Sequence, residues 1–358
     1  MTTNFAAPQP FEDGSESVPS LLRELTPLLR CPVTGEELAW SGSDLVSARS
    51  SNLYAVTDGI PQLFALEQQP IASDVTEIVK TFYEETPFPN YDDFDSRDSL
   101  ASKAEKSVFA AMLKEQLPQG ALVLDAGCGT GQLTNYLGMS WKYRVIGGDI
   151  CLNSLGLAKA FRDRFSIHNA AFVQMNLFRL PFCRDAFDVI ITNGVLHHTG
   201  DPKKAFVELL QRLKPGGVII VGLYNTYGRL PTLWRRRVFD WFGPPAYFLD
   251  SRLGDEGVAK GRWNAWFADQ YKHPHESRHS QYEVLTWFDE NKIDFLSGIP
   301  FPDGQDLHAN DNLFVPHSRG NAFDRFAVQM GLLFAGGKDG GLFIMIGRKR
   351  GQGLHWRT

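Results

Sequence analysis

The sequence of 358 residues lacks several features that would assign it to a class at once. It has only four cysteines, and these have no paired spacing, which argues against a disulfide framework and for a reducing compartment. No run approaches the roughly 18 apolar residues that a membrane span needs, and no cationic and apolar leader opens the chain. We therefore expect a cytoplasmic protein with no membrane span.

The sequence also lacks a large excess of charge of either sign. Lys and Arg number 36 against 41 Asp and Glu, so the formal net charge is −5 and no overall positive field attracts nucleic acid. One local basic cluster, Arg229 with Arg235, Arg236 and Arg237, is interpreted mainly as a solvated helix face. The charge balance argues against a nucleic-acid partner without excluding one, and the sequence predicts no oligomeric state.

One motif suggests a metal site that its surroundings do not support. HESRH (275–279) has the H-E-x-x-H pattern of zinc peptidases, which holds Zn²⁺ only when both histidines lie on one helix face. Pro274 and the absence of apolar residues from 273 to 280 disfavour such a helix. Ser280 and Glu283 form a capping-box pattern that starts a helix only after the motif. We therefore predict a loop, no metal site and no bound zinc.

The most informative stretch is ALVLDAGCGTGQL (121–133). It is a short apolar strand that stops on Asp125 and turns through Gly127, Gly129 and Gly131 into a helix, and glycines are needed where backbone approaches a ligand closely. A dinucleotide fingerprint would place its third glycine at position 132, which is Gln132. The Lys-Ser/Thr pair of a P-loop is also missing, so the turn is of another type.

Further strands follow this turn at a regular rhythm. They are YRVIGGDI, AFVQM, FDVIITN and VIIVGLYN, and they alternate with helical segments. This alternation predicts an α/β protein with a parallel sheet covered by helices on both faces. Ligands of such sheets bind beyond the carboxyl ends of the strands, where Asp149 could accept hydrogen bonds from both hydroxyls of a ribose.

As a set, LDAGCGTG, GGDI, NLFRLPF, DVIITNGVLHH and LKPGG resemble the class I S-adenosylmethionine-dependent methyltransferases, of the type 11 and 12 kind found in bacteria, over roughly residues 105–350. The resemblance implies a Rossmann-like, seven-stranded sheet whose last strand, near 340–350, is antiparallel. It implies S-adenosylmethionine as cofactor and S-adenosylhomocysteine as product. The cofactor-binding residues that it implies are Asp125, Gly127, Cys128, Gly129, Gly131, Asp149, Ile150, Asn176, Leu177 and Asn193.

Residues N-terminal to this domain divide into three parts. Residues 1–20 are predicted to be a mobile tail, and residues 21–70 a small module in which Asp58-Gly59 separates strand-like runs. The module resembles the zinc-ribbon-like modules that accompany some methyltransferases, but Thr34 replaces the second cysteine of the opening pair, so we expect a degenerate ribbon without metal. Residues 71–118 are predicted to be a helical connector and lid, with helices near 72–86 and 98–117. The methyltransferase domain then spans 119–358, with a helical, acceptor-binding insertion at about 226–320, before the last two strands.

The predicted chemistry centres on NGVLHHT. In the resembling fold this turn lies beside the methyl group to be transferred, so His197 and His198 are the predicted general bases, and Tyr224 and Asn225 are predicted to orient the acceptor. The segment DQYKHPHESRHSQYEVLTWF resembles one that covers the active-site mouth in many bacterial methyltransferases. The predicted catalytic residues are therefore His197, His198 and Tyr224. The predicted substrate-binding residues are Tyr83, Tyr91, Asn225, Tyr271, His273 and His279.

Three functions remain open at this point. A methyltransferase acting on a small or amphipathic organic acceptor, by O- or N-methylation, fits the aromatic residues of the insertion and of the PFPNYDD segment. A tRNA-modifying methyltransferase fits the ribbon-like module and the arginine cluster. A non-catalytic cofactor-binding protein would have the binding residues without turnover.

Overall fold

A computed structural model describes residues 20–66, 75–89, 91, 95–243, 249–250, 266–335 and 341–351. The predicted tail, 1–20, therefore lies outside the described residues except for Ser20. None of the described helices has the length and apolar character required to cross a bilayer.

Twelve strands and ten α-helices are described. The strands are β1 (Leu38–Ser41), β2 (Asp44–Ser47), β3 (Leu53–Tyr54), β4 (Val56–Thr57), β5 (Ile60–Leu63), β6 (Leu122–Ala126), β7 (Arg144–Asp149), β8 (Ala170–Met175), β9 (Phe187–Asn193), β10 (Leu213–Tyr224), β11 (Ile293–Ile299) and β12 (Leu342–Lys349). The helices are α1 (Ser20–Glu24), α2 (Thr76–Glu85), α3 (Arg97–Glu105), α4 (Val108–Gln116), α5 (Gln132–Gly138), α6 (Leu152–Arg164), α7 (Pro202–Arg212), α8 (Leu230–Phe242), α9 (Gln281–Glu290) and α10 (Ala322–Ala335).

Nine strands form one sheet in the order β11-β12-β10-β9-β6-β7-β8-β5-β4. The prediction of an α/β fold is confirmed, and so is an antiparallel strand at 340–350, because β12 runs antiparallel to both β10 and β11. The prediction of seven strands is wrong. The two additional strands come from the N-terminal module, where β5 pairs in parallel with β8 through Gln62 opposite Gln174, and β4 forms a hairpin with β5.

Both faces of the sheet are buried, as near-continuous apolar strands predict. All five residues of β6 are buried, and alternate ones point to opposite sides. Leu122 and Leu124 join an apolar cluster that contains residues of α7 and α9, whereas Val123 joins a second cluster with α4 and α5. This double cover fixes the strand ends rigidly, and the strand ends position the site.

The N-terminal module docks on the sheet through backbone pairing. Besides β5, it contributes a bridge between Leu29 and Phe182, and its own three-stranded sheet has the order β1-β2-β3. Asp58 and Gly59 both have positive φ, as the turn of the β4–β5 hairpin requires. Cys31 is buried, with its Sγ 2.9 Å from the Tyr54 hydroxyl.

Two predicted element boundaries differ from the structure. The helix predicted at 98–117 is broken into α3 and α4, because Ser107 takes an extended conformation and its side chain caps α4 at the Ala110 amide. The predicted insertion at 226–320 contains α9 and β11, and β11 is an integral strand of the sheet that pairs with β12. The alternation that buries Ile293 and Phe295 but exposes Asp294 is too short to separate from surrounding apolar residues by sequence.

Candidate functional site

The glycine turn after β6 is shaped by close approaches. Gly127, Gly129 and Gly131 all have positive φ, which side chains rarely tolerate. A Cβ on Gly127 would collide with Val195, and one on Gly129 with the carbonyl oxygen of Phe88. The turn is therefore closed from above by the segment before α3 and supported from the side by the end of β9.

Two aspartates, the buried Asp125 and the half-buried Asp149, flank the turn. Asp149, at the end of β7, accepts hydrogen bonds from the amides of Gly129 (2.8 Å) and Cys151 (2.9 Å). Asp125 accepts one from the Thr134 hydroxyl (2.6 Å). Burial raises the pKa of Asp149, and burial raises the pKa of Asp125 to about 6.

A cavity of about 450 Å³ opens over these groups, which is within the size range of small-molecule sites. Nine of the ten predicted cofactor residues line it, and Gly131 is the exception because it lies behind the turn against Ala158. The opposite wall includes α2 and the segment that follows it. That wall contributes Val75, Thr76, Val79, Tyr83, Phe88 and Pro89.

Asn193 lines the cavity, and its side chain packs against Gly222. The Oδ1 atom of Asn193 is buried and has no hydrogen-bond partner among the described residues. Gly222, on the neighbouring strand β10, leaves the space for it, because a Cβ there would collide with this oxygen. A buried acceptor without a partner is costly, and this one belongs to a side chain that lines the cavity.

Asn176 also lines the cavity, and both polar atoms of its side chain form hydrogen bonds within the protein. Its amide nitrogen donates to the Ala65 carbonyl (3.0 Å), and its Oδ1 accepts from the Phe178 amide (3.0 Å). An amide oxygen has two lone pairs. One acceptor position therefore remains for an adenine amino group, and the predicted contact stays a prediction.

The paired histidines occupy different positions. His198 lines the cavity, whereas His197 is fully buried behind it, with both ring nitrogens lacking partners among the described residues and its ring 4.0 Å from that of Tyr224. Burial lowers the pKa of His198 to about 3 and lowers that of His197 well below its usual value. The geometry therefore brings only His198 and Tyr224 of the three predicted catalytic residues to the cavity surface.

A buried hydrogen-bond network supports Tyr224. Arg229 has no exposed surface and lies with its guanidinium carbon 3.9 Å from the Tyr224 ring centroid. It donates to both carboxylate oxygens of Glu276 (2.9 and 2.7 Å) and to the side-chain oxygen of Gln270 (2.7 Å). Gln270 in turn donates to the hydroxyl of Tyr224 (2.9 Å) and to Asp269 Oδ2 (3.0 Å).

Sequence reasoning missed Asp269 and Gln270, although both line the cavity. Asp269 is 4% exposed and accepts a hydrogen bond from the Tyr83 hydroxyl (2.9 Å), which joins α2 to the segment after α8. Both residues stand in the π-helical turn Ala268–Lys272, beside the predicted Tyr271. The D-x-Y part of the resembling segment was therefore the available signal, but Tyr271, the residue predicted from it, does not line the cavity.

Only one predicted substrate-binding residue, Tyr83, lines the cavity. Tyr91 stacks on Phe161, and Tyr271 belongs to an apolar cluster and donates to Asp250. His273 lies behind His198, with ring centroids 3.7 Å apart.

Asn225 and His279 have structural partners. Asn225 is fully buried, accepts from the amides of Tyr227 and Gly228 and donates to Gln329. His279 contacts Ser277 and Glu283 through its two ring nitrogens. Their polar atoms are thus used to hold loops, a role that residue type and position alone do not reveal.

The HESRH stretch has no helical geometry. Residues 273–279 are irregular, and Ser280 caps α9 by accepting from the Glu283 amide (3.1 Å). The Glu283 side chain contacts His279 Nδ1 (2.9 Å), so the reciprocal half of the predicted capping box does not form. Within the described ranges, no three His, Cys, Asp or Glu side chains are grouped so as to hold a metal ion.

Part of the chain is similar to known methyltransferases. Residues 124–221 match the family model described as a methyltransferase domain. A tRNA (carboxymethyluridine(34)-5-O)-methyltransferase of Arabidopsis thaliana is 32% identical over 41% of this chain and 38% of its own length. A demethylmenaquinone methyltransferase of Lactococcus lactis is 32% identical over 36% of this chain and 52% of its own length. The solved structure of PKMT2 from Rickettsia typhi aligns with a TM-score of 0.48 at 16% identity, over 72% of this chain and 53% of that one.

The family match is to a methyltransferase domain and covers residues 124–221 of the 358. The chain spans only about half the length, or less, of the curated relatives that it matches. The shared region covers the strand ends that bear the glycine turn, Asp149 and Asn193, and it ends before Asp269.

Proposed function

We propose that the protein transfers a methyl group from S-adenosylmethionine to an oxygen or nitrogen of a small or amphipathic organic acceptor. The observation that carries the proposal is one cavity of about 450 Å³ that joins the glycine turn to a polar group of side chains beyond β9 and β10. Cofactor and acceptor could then meet within one desolvated space, where positioning contributes much of the rate enhancement.

The residues present fit the cofactor. Asp149 would accept from the ribose hydroxyls, Ile150 and Leu177 would pack on the adenine, and Asn193 would lie beside the methionine part. When bound, S-adenosylmethionine supplies an electrophilic methyl group. The chain's own task is to hold the acceptor in line with it and to accept the proton that the acceptor loses.

His198 is suited to contact the acceptor. Its Nδ1 lies 2.9 Å from the carbonyl oxygen of His275, and because a carbonyl only accepts, Nδ1 must carry the hydrogen. Nε2 is therefore left with a lone pair, and the lowered pKa keeps the ring neutral at physiological pH.

The likeness to a tRNA methyltransferase of Arabidopsis favours an RNA acceptor as the second candidate. The arginine cluster argues against it, because three of its four members have protein partners. Arg229 is buried against Glu276, Arg235 lies 3.6 Å from Asp250, and Arg236 donates to the His273 carbonyl. A non-catalytic cofactor-binding role would leave the polar end of the cavity without purpose.

Titration calorimetry with S-adenosylmethionine tests the cofactor site. Asp149→Ala should weaken binding by about 1–3 kcal/mol, because charge-assisted hydrogen bonds are lost. Asp240→Ala, at an exposed aspartate that does not line the cavity, is the matched control and should bind as wild type does. Equal affinity of the two variants would contradict the assignment.

A metabolite comparison between wild-type and deletion cells tests the acceptor. We expect a compound that differs by one methyl group and that disappears in the deletion strain. Loss of a methylated nucleoside from tRNA, with no change in small molecules, would favour the second candidate. The cytoplasmic location also stays a prediction.

A further inference from the structure

We infer that the polar end of the cavity selects an acceptor with a hydroxyl group beside a second oxygen, and that Asp269 receives the proton of this hydroxyl. This inference rests on the proposed methyl transfer. It follows from the directions of the hydrogen bonds around Gln270, which are fixed by groups that can only donate or only accept.

The donor and acceptor roles in this network can be assigned by starting from Arg229. Its guanidinium has donors and no acceptor, so the Gln270 atom that lies 2.7 Å from its Nη1 must be the carbonyl oxygen. Its Nη2 also donates to the backbone carbonyl of Gln270 (3.1 Å). Two contacts from one planar group thus hold Gln270 in a single orientation.

The amide nitrogen of Gln270 then faces the cavity. It has two hydrogens and no acceptor, and it lies 2.9 Å from the Tyr224 hydroxyl and 3.0 Å from Asp269 Oδ2. Both oxygens must therefore accept from it. Since the Tyr224 oxygen accepts, its own hydrogen points elsewhere, and Tyr224 lines the cavity. Tyr224 thus offers a donor to a bound molecule.

Asp269 offers an acceptor at the same place. Its two described hydrogen bonds come from neutral groups, the Tyr83 hydroxyl and the Gln270 amide. An ionised carboxylate has about four lone-pair positions, so it can accept a further hydrogen bond. The Arg229 guanidinium is paired with Glu276, and it acts on the Asp269 carboxylate as a nearby charge that lowers its pKa. Burial nevertheless raises the pKa of Asp269, which favours proton uptake.

The resulting pattern is one donor, Tyr224, next to two acceptors, Asp269 and the Nε2 of His198. An ammonium acceptor would satisfy the two acceptors but leave the Tyr224 hydrogen without a partner. A hydroxyl group beside a carbonyl or second hydroxyl oxygen satisfies both kinds of group. Buried polar groups without partners are costly, so this pattern favours O-methylation of a hydroxyl compound.

The chemical step is balanced. The acceptor oxygen forms a bond to the methyl carbon as the carbon–sulfur bond breaks and leaves its electron pair on sulfur, and the hydroxyl proton passes to the Asp269 carboxylate. The carboxylic acid so formed can still donate to a neighbouring oxygen until solvent removes the proton.

The test uses small probes and the full chain saturated with S-adenosylhomocysteine. Catechol and 2-hydroxyacetophenone have the required pair of oxygens, acetophenone lacks the hydroxyl, and benzylamine is the cationic alternative. By calorimetry, the first two should bind at least about tenfold more tightly than the last two. Asp269→Asn should remove this binding preference. In a separate assay with S-adenosylmethionine, its turnover of the two hydroxyl probes should be lower than that of wild type by roughly 10²-fold or more.

Asp250→Asn provides a matched control. Asp250 is also a buried aspartate that accepts from a tyrosine, Tyr271, but it does not line the cavity. This variant should leave the probe preference and turnover within about twofold of wild type. Tighter binding of benzylamine, absence of binding by both hydroxyl probes, or an unchanged preference in Asp269→Asn would overturn the inference. Failure of wild type to bind S-adenosylhomocysteine at all would instead refute the proposed function.

Discussion

The buried ion pair between Arg229 and Glu276 allows a quantitative prediction. Their side chains are 0% and 7% exposed, and the guanidinium donates to both carboxylate oxygens. Glu276→Gln keeps the shape but removes the compensating charge and sets an amide NH₂ against a guanidinium N–H. Breaking a buried pair in this way typically costs about 3–5 kcal/mol, since a buried charge is left unpaired. Gln270 still accepts two of the guanidinium hydrogens, so we expect a value near the lower end, about 3 kcal/mol.

Urea unfolding followed by circular dichroism measures this difference. The slope with respect to urea should stay the same, so that the shift in midpoint reports stability alone. Asp289→Asn is the matched control, because Asp289 also accepts from Arg319 through both oxygens (2.8 and 3.0 Å) but is 57% exposed. Exposed pairs contribute about 0–1 kcal/mol, so the control should be close to wild type.

A loss below about 1 kcal/mol in Glu276→Gln would refute the reasoning, since an exposed pair loses as much. A loss as large in Asp289→Asn would show that burial is not the cause. The prediction matters for function because the same guanidinium orients Gln270, and through it Tyr224.

Three further predictions concern single side chains. Gly222→Ala should weaken S-adenosylhomocysteine binding by at least about tenfold in calorimetry, because the new Cβ takes the space of Asn193 Oδ1; unchanged affinity would exclude Asn193 from the site. Ser280→Ala should lower the free energy of unfolding by about 1 kcal/mol through loss of the α9 cap; a loss near zero in urea would contradict it. Burial holds His198 neutral by lowering its pKa from 6.5 to about 3. Below pH 6.5 the unfolded chain therefore binds a proton that the folded protein excludes, and the free energy of unfolding decreases as the pH is lowered. About one pH unit below that value, wild type should have lost about 1.4 kcal/mol relative to His198→Gln; parallel pH profiles would show that His198 is not held neutral.

The part of the fold that local patterns determine was predictable. The strands that end on Asp125 and Asp149 and the glycine turn between strand and helix follow from apolar runs and from positions that only glycine tolerates. Nine of the ten predicted cofactor residues line one cavity because carboxyl ends of parallel strands share one edge of the sheet.

The parts that depend on distant contacts were not predictable. Pairing of β5 with β8 adds the N-terminal module to the sheet, and nothing in the short segment IPQL specifies that partner. The π-helical turn decides that Asp269 and Gln270 face the cavity while Tyr271 faces an apolar cluster. A shift of one residue in such a turn would exchange the residues that face the cavity with those that face the apolar cluster. The residue types alone do not determine which of the two arrangements forms.

The exposed aromatic residues of α8 also differ from the sequence interpretation. Trp234 and Trp241 are 60% and 79% exposed and do not line the cavity, whereas the aromatic residues of the insertion were interpreted as suited to the acceptor. The cavity wall instead takes Phe88 and Tyr83 from the segment around α2. Within the described ranges, the connector predicted as a lid thus supplies more of the aromatic wall than the insertion does.

The most direct test is transfer of tritium from S-adenosylmethionine labelled in its methyl group, with a protein-free metabolite extract and an RNA fraction offered separately. We predict label in the small-molecule fraction with wild type, loss of most of this label in Asp149→Ala, and no label in RNA. Label in RNA alone, or no transfer by a wild-type protein that binds the cofactor, would contradict it.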